Sequence, residues 1–275
     1  TLLAHERPES AEGGDVERSY YQEYFFFEQD NWWFVSRRRI LMALLRKHLP
    51  RGTPLEILDA GCGTGINLEY LAEFGNVVGA DISEEAIEFC RRRGNRSVRR
   101  ADLRALEWSD GAFDLVTALD VIEHIDRDDA AFRELARVTK PGGHLLVTVP
   151  AFPALWSDHD EINHHMRRYR GDEIRDLVRR NGCEIVKFTY MNTFLFPVAY
   201  AARTWQQVRK KLFGESPHSP RTDFVDYHPV VNAVLTAIFT AEVPLVTLAG
   251  LPFGLSILCF ARKASPGPAA GAAAR

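Results

Sequence analysis

Residues 55–65 read LEILDAGCGTG, a short apolar run followed by three glycines at alternate positions. The apolar run is typical of a buried strand, and the next segment, NLEYLAEF, carries apolar residues at helical spacing. Glycines between a strand and a helix let the backbone turn tightly and let a ligand approach it closely. Unpaired amides at the start of the helix add hydrogen-bond donors. The stretch therefore predicts a ligand-binding turn. A phosphate-binding dinucleotide fold is one alternative, although the spacing is GxGxG rather than GxGxxG.

Acidic residues close the strands that come after this turn. Asp81 ends NVVGAD, Asp102 ends SVRRAD, and Asp120 ends FDLVTALD. Because the carboxyl ends of parallel strands meet at one edge of a sheet, we expect these acids to lie at the ligand-binding edge. An acid at Asp81 can accept hydrogen bonds from a ribose diol. An acid at Asp102 can accept from an adenine amino group, with Ile82 and Leu103 on either side of the ring.

The rest of the chain alternates between strand-like and helix-like segments from Leu55 to Lys263. Such alternation predicts an α/β fold with a parallel sheet covered by helices on both faces. Two segments stand outside the pattern. Residues 30–49 indicate an N-terminal helix preceded by an aromatic stretch, and residues 192–251 form an apolar insertion that we expect to be helical and to cover the site as a lid. We expect a single domain over residues 17–264, with disordered ends at 1–16 and 265–275.

Taken together, the motifs ILDAGCGTG, GADIS, ADL and FDLVTALDVIEHI resemble those of the class I S-adenosylmethionine-dependent methyltransferases. The resemblance covers about residues 55–263 and implies a Rossmann-like, doubly wound sheet of seven strands whose last strand, LSILCFARK, is antiparallel. It also implies S-adenosylmethionine as cofactor and S-adenosylhomocysteine as product. The cofactor-binding residues that it implies are Asp59, Gly61, Gly63 and Gly65 around the methionine moiety, Asp81 at the ribose, Ile82, Ala101, Asp102 and Leu103 at the adenine, and Leu119 at the end of the fourth strand.

The N-terminal motif WWF, followed by three arginines, looks like small-molecule methyltransferases of the quinone-pathway type. In that group an arginine before the first strand meets the carboxylate of the cofactor. Arg39 is the best match, and Arg37 and Arg38 are the alternatives. Trp32 and Trp33 either cover the cofactor or pack into the core.

A polar stretch, HDEINHHMRRYR at 159–170, follows the fifth strand, and loops at this edge carry acceptor sites in parallel-sheet enzymes. A hydroxyl acceptor needs a general base, for which His165 is preferred, with Glu161, His159 and His164 as further candidates. If the acceptor is a carbon–carbon double bond, the preference passes to the carboxylate. Arginines of this stretch, including Arg168, could clamp an anionic group, and Tyr169 could orient the acceptor. The alternative is that Arg168 and Tyr169 only fix the loop.

A metal site is not predicted, because His159, Asp160, Glu161 and His164 show no recognised ligand spacing. His124, in the VIEH segment, is at least as well explained by a structural role as by a catalytic one.

The apolar insertion and the overall composition bear on the partners. Apolar stripes over an arginine-rich loop favour a small-molecule acceptor with an apolar body and a polar or anionic head, such as an isoprenoid or lipid-like compound, and allow peripheral membrane contact; a dimer interface is the competing explanation. Pro and Gly residues interrupt the uncharged run 243–261, which argues against a transmembrane span. The net charge of -3 gives no case for a nucleic-acid partner, and four scattered cysteines are typical of a cytoplasmic protein. A monomer or a homodimer is expected.

The sequence therefore favours a methyltransferase acting on a small molecule. A non-catalytic S-adenosylmethionine-binding protein and a nucleotide-dependent oxidoreductase are the alternatives.

Overall fold

The computed structural model of the chain describes residues 16–213 and 225–265. The ends for which disorder was predicted, 1–16 and 265–275, lie outside these ranges except for their innermost residues, Val16 and Ser265.

The described residues form a seven-stranded sheet with the order β3-β2-β1-β4-β5-β7-β6. Strands β1 to β5 pair in parallel where they are neighbours, and β7 runs antiparallel between β5 and β6. The Rossmann-like α/β fold and its antiparallel last strand are therefore confirmed. The strands are β1 Leu55–Ala60, β2 Gly75–Asp81, β3 Val98–Arg100, β4 Phe113–Leu119, β5 Thr139–Pro150, β6 Cys183–Met191 and β7 Ser256–Lys263.

Helices cover both faces of this sheet. On one face α5 and α7 pack over a large apolar core that includes Phe132 and Ile174. On the other face α2 and the insertion helices enclose a second core that includes Leu41 and Phe239. The helices are α1 Val16–Asp30, α2 Trp32–His48, α3 Ile66–Leu71, α4 Glu84–Arg92, α5 Asp128–Val138, α6 Asp158–Ile162, α7 Gly171–Arg180, α8 Phe196–Phe213, α9 Pro229–Thr240 and α10 Val243–Leu248.

The N-terminal segment contains two helices where one was predicted. The aromatic stretch before residue 30 is itself helical and forms α1, and Asn31 begins α2 by accepting a hydrogen bond from the Trp33 amide. The extra helix is explained by its aromatic residues, because they pack against α4. The ring of Phe25 lies 5.3 Å from the ring of Phe89. This contact is tertiary, so the local sequence did not reveal it.

The uncharged run 243–261 divides into α10 and most of strand β7, as its Pro and Gly residues indicated. A different stretch, Pro229–Leu248, is long and apolar enough to cross a membrane by length and composition, with a mean hydropathy of 1.7. Ala241 and Glu242 separate α9 from α10 within that stretch, both with right-handed helical dihedral angles.

Candidate functional site

The glycine turn connects β1 to α3 at the carboxyl edge of the sheet. Gly61, Gly63 and Gly65 all have positive φ, at 76°, 55° and 86°, a region that residues with a Cβ rarely adopt. A Cβ on Gly61 would lie 2.4 Å from the Val121 side chain, so this position is closed by packing. A Cβ on Gly63 would meet nothing within 4 Å. The backbone at Gly63 is therefore the part of the turn that an incoming ligand can reach.

Asp81 lies at the end of β2, beside this turn, and is buried. One carboxylate oxygen accepts the Gly63 amide at 2.9 Å, and the other accepts the Ser83 amide at 3.0 Å. These bonds hold the carboxylate at the mouth of the turn. The contact with a ribose remains a prediction, which this position supports.

A group of buried polar atoms lies where β1, β4 and α2 meet. Within the part of the chain that the structure describes, Nε of Arg37, Oδ2 of Asp59 and Oδ1 of Asp120 are buried without a hydrogen-bond partner. Buried polar groups are nearly always hydrogen-bonded in folded proteins, so these atoms are available to a ligand or to ordered water. A free guanidinium N–H suits a carboxylate, and a free carboxylate oxygen suits an ammonium group. The cluster therefore fits both ends of an amino-acid moiety.

Burial also changes the pKa of Asp59 in this cluster. Desolvation raises the pKa of Asp59 to about 6, against the hydrogen bond that it accepts from the Thr117 hydroxyl at 2.5 Å. A cationic partner next to Asp59 would favour the carboxylate form and offset this shift.

The arginine at the site is Arg37, whereas Arg39 was the preferred match. Arg39 is exposed to solvent on α2. Arg37 is buried, lies 2.7 Å from Oδ2 of Asp120, donates to the Thr148 hydroxyl at 2.9 Å, and has Trp33 stacked on its guanidinium. Residues two apart on a helix face different directions, so only one of them can point at the sheet edge. Arg37 was one of the two alternatives considered.

The side chains predicted around the adenine are in mixed positions. Ile82 is exposed and Ala101 is half-buried, so both can contact a ligand. Leu103 is only 4% exposed and packs in the core behind β4, which corrects its assignment to a ring-covering position. Asp102 already forms an ion pair with Arg104 at 2.8 Å, which lowers its pKa. Leu119 is buried in the other core.

The helix α1 lies over the glycine turn. Its buried Glu28 accepts a hydrogen bond from the Thr64 hydroxyl and forms a 2.6 Å ion pair with Arg93, the residue that follows α4. Burial raises the pKa of Glu28 to about 7. Glu28 was not predicted from the sequence, because nothing in α1 marks one of its four acids as buried.

The polar loop after β5 is organised around Asp160, which is fully buried. One oxygen of Asp160 lies 2.8 Å from Nδ1 of His165 and accepts Nε of Arg168 at 2.7 Å, and the other accepts the Ser157 amide at 2.9 Å. Burial alone would raise the pKa of Asp160, but the bonds from His165 and Arg168 outweigh it and hold the pKa well below its ordinary value. Asp160 is therefore an ionised carboxylate that can only accept hydrogen bonds, and it orients the ring of His165.

The other residues predicted in this loop serve the loop itself. Arg168 also donates to the Ala151 carbonyl, so it is a positioning residue and not an anion clamp. Tyr169 is buried and donates to Asp128 at 2.8 Å, which confines it to a structural role. Glu161 is exposed and faces Lys210, and His159 is exposed with its ring against that of His165. These contacts favour the alternative that Arg168 and Tyr169 fix the loop, and the catalytic roles of Glu161 and His159 stay predictions.

A buried acid and two histidines meet beside this loop. Glu123, His124 and His165 each offer one potential ligand atom, and these atoms lie within 4.8 Å of one another. Both carboxylate oxygens of Glu123 are buried without a described hydrogen-bond partner, and burial raises its pKa well above the ordinary range. Burial lowers the pKa of His124 to about 4, so its ring is neutral near pH 7. The residues considered from the sequence, for which a metal site was not predicted, are a different set: His159, Asp160, Glu161 and His164.

The carboxyl edge of the sheet is also where the backbone is strained. Asp120, Phe152 and Asn192, which follow β4, β5 and β6, all have φ near +60°. Non-glycine residues in this region cost free energy and cluster at functional sites.

The seven-stranded fold and the residues at the carboxyl edge of its sheet define a Rossmann-like protein with a site that suits a nucleoside cofactor carrying an amino-acid end. Residues 58–147 match the family described as "Methyltransferase domain". These residues therefore match a methyltransferase domain, and the match supports the resemblance to the class I S-adenosylmethionine-dependent methyltransferases, with S-adenosylmethionine as cofactor.

Two curated relatives illustrate the similarity. Over 109 residues the chain is 35% identical to a ubiquinone biosynthesis O-methyltransferase of Xanthomonas oryzae pv. oryzae, covering 37% of this chain and 46% of that protein. Over 134 residues it is 36% identical to a probable S-adenosylmethionine-dependent methyltransferase of Mycobacterium tuberculosis, covering 47% of this chain and 48% of that protein. The chain thus spans less than half the length of these relatives.

A solved structure extends the comparison to the fold. A putative methyltransferase from Bacillus halodurans superposes with a TM-score of 0.55 at 22% identity, covering 82% of this chain and 99% of that chain. Similarity at this level of identity concerns the architecture, and the acceptor chemistry must come from the site.

Proposed function

We propose that the protein transfers a methyl group from S-adenosylmethionine to a hydroxyl group of a small molecule, with His165 as general base. The observation that carries this proposal is the Asp160–His165 pair, held at the cofactor edge of the sheet by Arg168. When bound, the cofactor supplies an electrophilic methyl group. Asp59, Arg37 and the backbone at Gly63 would hold its amino-acid end, and Asp81 its ribose.

The role of His165 follows from its tautomer. Because Asp160 is a carboxylate, Nδ1 of His165 must donate the proton in the 2.8 Å contact. The other ring nitrogen, Nε2, then carries the lone pair in the neutral form and can accept a proton from a hydroxyl. A buried carboxylate that fixes the imidazole tautomer and stabilises the imidazolium is the arrangement used by histidine general bases.

The acceptor class is proposed from the surroundings of the loop. Helices of the apolar insertion pack next to it, with Gln207 of α8 donating to the Trp156 carbonyl at 2.8 Å. The side of α8 that faces the loop is polar, so the apolar body of the acceptor stays a prediction from the sequence. The name of the Xanthomonas relative, a ubiquinone biosynthesis O-methyltransferase, supports oxygen as the methylated atom and an isoprenoid-like body. Arginines of the loop are engaged internally, so an anionic head is no longer favoured.

The test is methyl transfer from labelled S-adenosylmethionine to a panel of phenols and catechols, with and without a prenyl chain. We expect His165→Gln to lower kcat by about 100- to 10,000-fold while the affinity for S-adenosylhomocysteine is unchanged. His159→Gln, an exposed neighbour, is the matched control and should lower kcat by less than about threefold.

Three outcomes would favour other assignments. Full activity of the His165 variant would remove it as base. Tight cofactor binding without turnover of any acceptor would favour a non-catalytic role. Loss of activity on treatment with EDTA, with recovery on adding a divalent cation, would assign Glu123, His124 and His165 to a metal instead of a proton.

A further inference from the structure

The insertion helix α8 is oriented with its polar side towards the protein. Arg203 donates to the Leu155 carbonyl at 3.2 Å, and Gln207 donates to the Ala154 carbonyl at 3.1 Å. Lys210 forms a 2.6 Å ion pair with Asp158, to which Gln206 also donates. An ordinary surface helix buries its apolar stripe and exposes its polar one. In α8 the polar stripe is the docked one.

The apolar stripe of α8 faces solvent as a consequence. At 3.6 residues per turn its four apolar residues, Val198, Trp205, Val208 and Leu212, fall within about a quarter of the helix circumference. The exposed fractions are 71% for Val198, 69% for Trp205, 41% for Val208 and 69% for Leu212. Single exposed apolar side chains are common on protein surfaces, but a continuous stripe marks an interaction site.

The helices α9 and α10 repeat the inverted arrangement independently. Asn232 of α9 accepts the Trp32 amide at 2.8 Å and donates to the Asp30 carbonyl at 2.9 Å, and Thr240 donates to Ser36. The polar side chains of α9 are thus used against α2. Every outward position along α9 and α10 that is classed as exposed is apolar, namely Pro229, Val230, Val231, Ala233, Val234, Ala237, Ala241, Pro244, Leu245, Leu248 and Ala249.

Charge along α8 indicates what covers these stripes. The helix contains Arg203, Arg209, Lys210 and Lys211 and no acidic residue. On the helical projection Arg209 and Lys211 flank the apolar stripe on opposite sides, and both are exposed. An apolar stripe with an exposed Trp and basic residues at its borders is the pattern of a helix that lies in the interface of an anionic membrane.

We propose that α8, together with the outward faces of α9 and α10, docks the protein on the surface of an anionic lipid bilayer. The docking is monotopic. The segment Pro229–Leu248 stays bonded to α2 through Asn232, and buried Glu242 accepts the amides of Asn192 and Phe194 at 2.8 and 2.7 Å. These bonds hold the apolar segment on the domain instead of across the bilayer. The proposal concerns membrane binding and does not depend on methyl transfer.

The experiment is flotation of the protein with vesicles of phosphatidylcholine alone and with vesicles containing 30% phosphatidylglycerol. We expect binding to the anionic vesicles, weakened by salt, with a blue shift of the Trp205 fluorescence. The variant Arg209→Gln/Lys211→Gln should bind anionic vesicles about 25-fold more weakly, from a factor of about five for each charge. Trp205→Glu/Leu212→Glu should abolish binding to both kinds of vesicle.

Controls separate this result from misfolding and from dimer formation. Val186 is an exposed apolar residue on β6, outside the proposed docking face, so Val186→Glu should bind vesicles as the wild type does. All substituted side chains are exposed, and circular dichroism should show the wild-type helix content. Failure of the wild type to float with anionic vesicles at low salt would overturn the proposal. So would a wild-type dimer in sedimentation velocity that Trp205→Glu/Leu212→Glu converts to a monomer, if that variant still bound vesicles as the wild type does.

Discussion

Replacing Asp160 by Asn probes the centre of the loop that carries the proposed base. The substitution keeps the size of the side chain and removes its charge, leaving the Arg168 guanidinium, whose side chain is 2% exposed, without a counterion. Breaking a buried ion pair by removing one partner costs about 3–5 kcal/mol. Because the Asn oxygen can still accept one hydrogen bond, we expect the free energy of unfolding to fall by about 3 kcal/mol.

The same substitution should affect the proposed base. An Asn at position 160 can donate to Nδ1 of His165, which would move the imidazole proton to Nε2. We therefore expect kcat to fall by at least about 100-fold under conditions where the variant is folded.

The assay is urea unfolding followed by circular dichroism at several pH values. The folded-state pKa of Asp160 is depressed, so its contribution is complete above the unfolded value near 4 and is lost as the pH falls below it. The difference between wild type and variant should therefore shrink below about pH 4. Asp172→Asn, which breaks an exposed pair with Arg170, is the control and should leave the stability unchanged. Equal stability of the wild type and the Asp160 variant at pH 7 would refute the reasoning.

Three further substitutions or conditions address the cofactor edge. Arg37→Ala should weaken S-adenosylhomocysteine binding by about 2 kcal/mol in calorimetry while leaving adenosine binding intact, whereas Arg39→Ala, on the exposed side of α2, should change neither; the reverse order would contradict the assignment. Because the pKa of Asp59 is raised to about 6, the affinity for the cationic end of the cofactor should fall as the pH drops below 6, by up to about tenfold per pH unit. Calorimetric titrations between pH 5 and 8 measure this dependence, and an affinity that does not change with pH would contradict it. Glu28→Gln should loosen α1 from the glycine turn, which faster amide hydrogen exchange of residues 20–30 would report, and unchanged protection would oppose it.

Much of the fold could be predicted from the sequence because the signals are local. The strands are short apolar runs, and the glycines at 61, 63 and 65 mark the turn whatever packs around it. Ser83 stands before Glu84 and Glu85, a pattern typical of a helix start, and it caps α4 by accepting the Ala86 amide at 3.3 Å.

The errors concern choices that depend on packing. The pattern of three arginines in α2 does not say which one faces the sheet. The rotation of α2 about its own axis, which is set by its packing on β4 and β5, decides this and turns Arg37 towards the sheet. Asp160 became the centre of its loop because the chain turns through His164, at a φ of 53°, and brings His165 and Arg168 back to it. The inverted orientation of α8 is similar: periodicity predicts a stripe, and only the docked structure shows which side is covered.

The central claim is that the carboxyl edge of the sheet binds S-adenosylmethionine. Calorimetric titration of the wild type and of Asp81→Ala with S-adenosylhomocysteine, and of the wild type with NADH, tests it most directly. We expect one site for S-adenosylhomocysteine, about 1–3 kcal/mol weaker in Asp81→Ala, and no heat with NADH. Binding of NADH, or of neither ligand by a folded wild type, would contradict the claim.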